Sequence, residues 1–324
     1  AIQISKIKPV KFISTIILLT LISCNNSDLE IIKIPIDKTT IPKGIVVNPK
    51  NNDIYISSLH LDQLVRYNEI QNKTEIILNR EDHGYSAGTD LGIYKNRLYA
   101  LGRYNRDSFA MLFIKNLYTD LTLSYKVNSH GNTFFNNLAI DKKGNCYISD
   151  TDHHRIYKYD NENRDIRVFY LNEQIENPNG ISISSDQTKL FVDSYSHGIR
   201  IIDIESKTIL NKLHSPTAQW GVDGIKYHQG KIFFIVNGIK DKSQHGLYSL
   251  DLIENETEFG NLDPVLVFHK KMHIPTTLSI VHNQFYMLAN SQLDLLEANT
   301  NTIIDSSKLT DTYVIKKMDI HKNQ

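Results

Sequence analysis

One pattern constrains this chain more than any other. A polar residue, then a glycine or second polar residue, then Ile or Leu, recurs six times. The occurrences are Lys43-Gly44-Ile45, Thr89-Asp90-Leu91, Asn136-Asn137-Leu138, Asn179-Gly180-Ile181, Asp223-Gly224-Ile225 and Thr276-Thr277-Leu278. Their first positions are 46, 47, 43, 44 and 53 residues apart. A unit repeated at roughly 40–50 residues has the period of propeller blades, which bury their sheets by packing around a common axis. The expected fold is all-β: a six-bladed β-propeller of four-stranded antiparallel blades.

The third unit shows the strands most plainly. Residues 138–140, 146–149, 155–159 and 164–170 are apolar or alternating runs, and Gly, Asn and Asp cluster between the first three. That alternation and punctuation are strand and hairpin signals. No amphipathic helix longer than two turns is legible in the repeat region. A ring must close, or its first and last sheets expose their edges. Residues 30–36 (EIIKIPI) are a strand-like piece left over before the first unit. They are expected to join a last blade built from residues 278–304, with 312–320 as a further contributor.

The chain opens differently. Lys6, Lys8 and Lys11 precede an apolar stretch at residues 12–22, which ends in Leu21-Ile22-Ser23-Cys24. A basic start, an apolar core near ten residues and a small residue at the cut are the parts of an export signal. The stretch is shorter than the roughly 20 residues a spanning helix needs. The Leu-x-Ser-Cys ending resembles the bacterial lipobox, which implies that Cys24 becomes the lipidated first residue of the mature chain. The expected organisation is a signal at 1–23, a lipidated tether at 24–30 and the propeller at 31–324. The expected location is the bacterial cell envelope, at the periplasmic or outer surface, with the membrane as a partner through Cys24.

Composition narrows the remaining classes. Lys and Arg number 36, as do Asp and Glu, so the formal charge is zero and nucleic acid is not expected as a partner. At 40% hydrophobic and 22% charged residues the chain is globular rather than disordered. Its two cysteines, Cys24 and Cys146, exclude a disulfide framework and a thiolate zinc cluster. Cys146 lies in an apolar strand pattern and reads as a small buried hydrophobe.

Two resemblances bear on function. Asp150-Thr151, His154-Arg155-Ile156 and Asp160 in the third unit resemble an NHL repeat, where such residues fix a turn. Pro178-Asn179-Gly180 with Asp186, and Val222-Asp223-Gly224, resemble the senescence-marker/gluconolactonase and paraoxonase families. These are six-bladed propellers whose axial calcium or similar divalent ion serves lactone or ester hydrolysis. The resemblance implies Asn136, Asn179 and Asp223 as ligands of such an ion, with Asp223 also the catalytic carboxylate. The family's fourth ligand, a Glu in the first blade, is replaced here by Lys43. An ammonium repels a divalent cation, so Lys43 is itself a candidate for the ion's place, paired with Asp223; Asp90 is the candidate for the lost carboxylate.

The openings should all face the channel at one end, because each begins the innermost strand of its blade. Lys43, Thr89, Asn136, Asn179, Asp223 and Thr276 would then form a polar ring. An unpaired buried polar group costs on the order of 1–3 kcal/mol, so water, a ligand or an ion is expected to satisfy them. Trp220, with Gln219, is expected on the rim. His130, His214, His245 and His273 lie in or beside loops, and the adjacent His153-His154 pair lacks ligand spacing. No phosphate loop, Gly-x-Ser-x-Gly elbow or Cys/His nucleophile pair is present. Two functions follow: a metal-dependent lactone or ester hydrolase, or a non-catalytic NHL-like propeller that binds a protein or glycan over one face.

Overall fold

The computed structural model describes residues 28–320, apart from 105, 107–108, 128–132, 213–214 and 298–299. Cys24, the expected signal, His130 and His214 lie outside the described residues. The chain forms six antiparallel sheets arranged as a six-bladed propeller. Blade 1 comprises Pro42–Val47, Ile54–Ser58, Gln63–Asn68 and Lys73–Asn79. Blade 3 follows the same plan in Phe135–Ile140, Cys146–Asp150, Arg155–Asp160 and Asp165–Leu171. Blade 5 does so in Val222–His228, Lys231–Val236, Gly246–Ile253 and Glu258–Val267.

Two blades depart from the plan. Blade 2 runs Leu91–Tyr94, Arg97–Tyr104, Ala110–Asn116 and Thr122–Lys126, and the short strand Tyr85–Ser86 also pairs with Arg97–Tyr104. Blade 4 has three strands, Ile181–Ile183, Lys189–Ser194 and Gly198–Asp203. A single bridge from Ile202 to Ile209 stands in for its fourth. The reason is local: the Asn211 side chain accepts from the Ile201 N–H, so an amide takes over part of the ladder's pairing.

Blade 6, which closes the ring, departs from the plan as well. Leu29–Ile34 pairs with Thr312–Lys317, which pairs with Gln284–Leu288 and through it with Leu278–Val281. The leading segment therefore completes blade 6, as expected. The remaining expected contributor does not: residues 296–297 and 302–303 form a separate two-stranded hairpin. Its Asn- and Thr-rich sequence lacks the apolar alternation that would pack on a neighbouring blade.

The core lies between blades rather than within one layer. Distinct apolar clusters fill the seams, such as Ile32, Ile34, Ile45, Val47 and Val314 between blades 6 and 1. Phe191, Ile201, Ile225 and Phe234 do the same between blades 4 and 5. Each sheet is thus covered on both faces, which explains the near-continuous apolar second strands such as Lys231–Val236. Near the axis the blades approach closely. A Cβ on Gly44 would lie 2.0 Å from the Thr89 carbonyl oxygen, and one on Gly180 2.2 Å from that of Asp223. Glycine at the second place in blades 1, 4 and 5 is therefore required by how closely the neighbouring blade approaches there.

If closure rests on the leading strand, Ile34→Ala should destabilise the whole propeller by about 2–5 kcal/mol in chemical denaturation. A change within about 0.5 kcal/mol would show that this strand is not part of the cooperative core.

Candidate functional site

Five of the six openings are buried, and Asn179 is half-buried. The two threonines stitch neighbouring blades: Thr89 Oγ1 donates to the Phe135 carbonyl (2.8 Å) and Thr276 Oγ1 to the Lys43 carbonyl (2.7 Å). Their hydroxyls are satisfied by the ring itself, which removes the expected need for water, a ligand or an ion at those positions.

The other four carry the charge and the amides. Lys43 Nζ reaches from blade 1 to Asp223 Oδ1 in blade 5 at 2.6 Å, with both side chains buried. Asn237 Nδ2 donates to Asp223 Oδ2 at 3.3 Å. The amide oxygens of Asn136 and Asn179 both accept from Asn137 Nδ2, at 3.2 and 2.9 Å. Asn136 Nδ2 donates in turn to Thr151 Oγ1 at 3.1 Å. The three oxygens implied as metal ligands are thus engaged by protein donors. A divalent cation takes six to eight oxygens and favours anionic ones. This set offers one carboxylate, already held by an ammonium, so as arranged it does not fit such an ion. Among the described residues, no group of three or more His, Cys, Asp and Glu side chains is placed to hold a metal.

Asp90 lies one residue further along the axis and does not stand in for the missing carboxylate. Its Oδ2 accepts from the Leu138 N–H (3.1 Å) and faces Lys226 Nζ at 3.7 Å. Lys226 belongs to blade 5, on the opposite side of the ring from blade 2. Two ion pairs therefore cross the channel at successive depths. Beyond them a second cavity of about 340 Å³ opens at the far end, walled by Val46, Ile93, Ile140, Ile183 and Ile280 beside Lys226.

Above the Lys43–Asp223 pair lies a cavity of about 380 Å³. Its polar lining comes from Thr151, Asn177, Asn179, Asp193 and Asn237, and Tyr195 and Lys240 form part of its wall. Lys240 Nζ sits 5.0 Å from the centre of the Tyr195 ring. Asp193 closes the end of the strand Lys189–Ser194. Its N–H donates to the Gly180 carbonyl at 2.9 Å, which fixes it beside Asn179. Burial, with the Asp223 carboxylate as the lesser cause, pushes the Asp193 carboxyl well above the usual carboxylate range. Its surroundings disfavour the charged form, and a carboxyl that keeps its proton can donate as well as accept.

Asp193 and Asn237 escaped the sequence reasoning, although a rule would have found them. In a blade the second strand runs back toward the end where the first began. A polar residue closing an apolar second strand, as in Leu-Phe-Val-Asp193 or Phe-Ile-Val-Asn237, therefore returns to the level of the openings. Trp220 does not line the cavity: its ring packs edge-on against Tyr248 at 5.5 Å in the seam between blades 4 and 5. Among the described residues, the loop histidines His245 and His273 do not line the channel cavities. His273 pairs with Asp294, and His245 packs edge-on against Phe268 with its ring pKa lowered, chiefly by burial. His153 binds Asp150, whereas His154 accepts from the Asn177 N–H. Cys146 is buried, and burial pushes its thiol up, away from a nucleophilic role.

No family model and no curated protein matches this chain. Solved structures do. A gluconolactonase of Xanthomonas campestris is 11% identical, with a TM-score of 0.59 and 89% of each chain covered. The allergen Mala s 1 of Malassezia sympodialis is 12% identical at a TM-score of 0.65, covering 88% of this chain and 95% of that one. A virginiamycin B lyase of Staphylococcus aureus is 15% identical at a TM-score of 0.57, covering 85% and 86%. At these identities the likeness establishes the propeller fold alone.

Removing one partner of a buried ion pair strands the other. Lys43→Met should cost about 3–5 kcal/mol in chemical denaturation, and Lys43→Met/Asp223→Leu should recover most of it. Equal losses in the single and double variants would deny the pair. Asp193 gives a pH signature. Its folded pKa is raised, so the folded form is favoured below the unfolded value near 4 and loses stability as pH climbs from there toward the folded value. Asp193→Asn should therefore gain stability relative to the parent as pH rises above about 4. A pH-independent difference would mean that Asp193 is ionised throughout.

Proposed function

We propose that this chain is an exported propeller, anchored to the bacterial envelope through an acylated Cys24, that binds a neutral, hydroxyl-rich ligand of the glycan class without metal chemistry. The observation that carries this reading is the Lys43–Asp223 pair: a protein ammonium holds the carboxylate that a divalent ion would need. The cavity above it supports the ligand class. Asn177, Asn179 and Asn237 bring amide donors and acceptors and Asp193 a carboxyl, and sugar hydroxyls require both senses. Tyr195 adds an aromatic wall of the kind that packs on the apolar side of a sugar ring.

Inside this reading each residue has a bounded role. Lys43 fixes one oxygen of Asp223, and Asn237 holds the carboxylate's second oxygen. Asn137 orients the Asn136 and Asn179 amides so that their oxygens are occupied from below. NHL-type turn chemistry at Asp150, which accepts from the Phe134 N–H and from His153, then serves the frame rather than the ligand.

Thermal-shift and calorimetric titrations with maltotriose, cellotriose and chitotriose should show binding by at least one sugar, lost in Tyr195→Ala and Asn237→Ala while the fold persists. Lactone and aryl-ester hydrolysis, measured in parallel with calcium present, should stay at the rate of a protein-free control. Hydrolysis that calcium stimulates and Asp223→Ala abolishes would replace this reading with the metal-dependent hydrolase.

A further inference from the structure

We infer that the propeller stands on an anionic lipid surface on its hairpin-turn face, with the Asp193 mouth directed away from the membrane. The inference rests on the acylation of Cys24 proposed above. Its first support is topological. Innermost strands run from the mouth to the opposite face, so the inner hairpins and the third-to-fourth strand turns all gather there. In blade 6, Leu29 lies opposite Lys317, which lies opposite Phe285, the second residue of the second strand. The start of the closing strand is therefore on the hairpin-turn face, where the Met318 N–H donates to the Asp28 carbonyl at 3.0 Å. Cys24 precedes Asp28 by four residues, which reach about 14 Å when fully extended. The closing strand alone, six residues at about 3.3 Å each, is longer than that tether. An acyl group on Cys24 thus has the reach to seat the near face on the lipid, and lacks the reach to turn the far mouth toward it.

The second support is the chemistry of that face. Its inner turns in blades 1–3 carry Lys50, Lys95, Arg97, Lys142 and Lys143. Their polar contacts are neutral: Lys50 donates to the Asn96 amide, Arg97 to the Asn161 amide and Lys142 to the Ser185 carbonyl, while Lys95 lies over the Tyr94 ring. The carboxylates of these inner turns, Asp53 and Asp141, are spent locally: Asp53 accepts from the Asn51 and Asn68 amides and Asp141 from the Lys143 and Asn145 N–H groups. The outer turns carry carboxylates in several blades, Glu69 and Asp120 in blades 1 and 2 as well as Glu162, Glu205 and Glu254 in blades 3–5, so the basic character is that of the inner turns of blades 1–3. Lysines and arginines beside an anionic leaflet are attracted to its phosphates.

Apolar side chains stand in the same sector. Ile70 is 93% exposed and Tyr118 70% exposed, on the outer turns of blades 1 and 2, and Met318 follows the strand that meets Asp28. Glu69 lies beside Glu30 and Lys316, which brings the Ile70 turn next to the start of the closing strand. An exposed Ile and Tyr on one face suit the headgroup boundary of a bilayer.

The test uses the full chain matured in cells and reconstituted into phosphatidylglycerol/phosphatidylcholine vesicles that carry a headgroup nitroxide. Single fluorophores are placed at Gln71→Cys on the turn face or Ser243→Cys near the far mouth; buried Cys146 stays unlabelled. Mass spectrometry of the N-terminal peptide reads acylation of Cys24 separately. The expected result is quenching at Gln71 several-fold stronger than at Ser243. It should weaken with Ile70→Ser, with Lys95→Gln/Lys142→Gln/Lys143→Gln, or when salt shortens screening below about 8–10 Å. Equal quenching at both labels with Cys24 acylated overturns the orientation and leaves the anchor standing. Turn-face quenching with unmodified Cys24 supports the lipid-binding face and rejects the anchor. No association with vesicles overturns both.

Discussion

A single contact organises the functional end of this molecule: the Lys43 ammonium on the Asp223 carboxylate, 2.6 Å apart and shut off from water. Burying either charge alone costs several kcal/mol, so each is tolerable only because the ring delivers the other. That delivery depends on the blades. Blade 6 stands between the two that carry the pair and is itself completed by the strand Leu29–Ile34. Ring closure, the threonine stitches at Thr89 and Thr276 and the crossing pair are therefore parts of one mechanical unit. Asp193 lies beside the same contact. Burial, with the Asp223 carboxylate as the lesser cause, disfavours its charged form.

Much of this was legible in the sequence. The period gave the number of blades, the openings gave the residues at the axis, and Lys43 in place of an acid announced a change in the chemistry there. Glycine at the second place of the repeat reported how near the blades come. Other features were hidden for a physical reason: they depend on which residues the ring brings to one level. Asn137 taking the amide oxygens of two blades is a matter of side-chain reach across a seam, and nothing in its local sequence marks it. Asp193 and Asn237 sit at the ends of second strands, visible only once strand direction is counted. Trp220 reads as a rim residue by its distance from Asp223, yet its indole fills a seam because Tyr248 offers an apolar face. The fourth strand of blade 4 and the hairpin at 296–303 were misread because short polar runs carry little periodicity.

The two ends of the channel differ in kind. One is lined by amides and the Asp193 carboxyl together with Val222 and Ile239; the other sets aliphatic side chains beside Ser182, Lys226 and His228. Two crossing ion pairs separate them, Lys43–Asp223 and the longer Lys226–Asp90 contact. On the proposed reading the first face serves recognition and the second attachment, and Asp28 lies on the second.

Calcium titration of the parent chain and of Lys43→Glu, followed by calorimetry and by metal content after gel filtration, tests the central claim most directly. If the lysine serves as the internal cation, the parent takes up no calcium and Lys43→Glu binds it through the introduced carboxylate and the Asp223 carboxylate that the ammonium no longer holds. Stoichiometric calcium on the parent chain would contradict the account at its foundation.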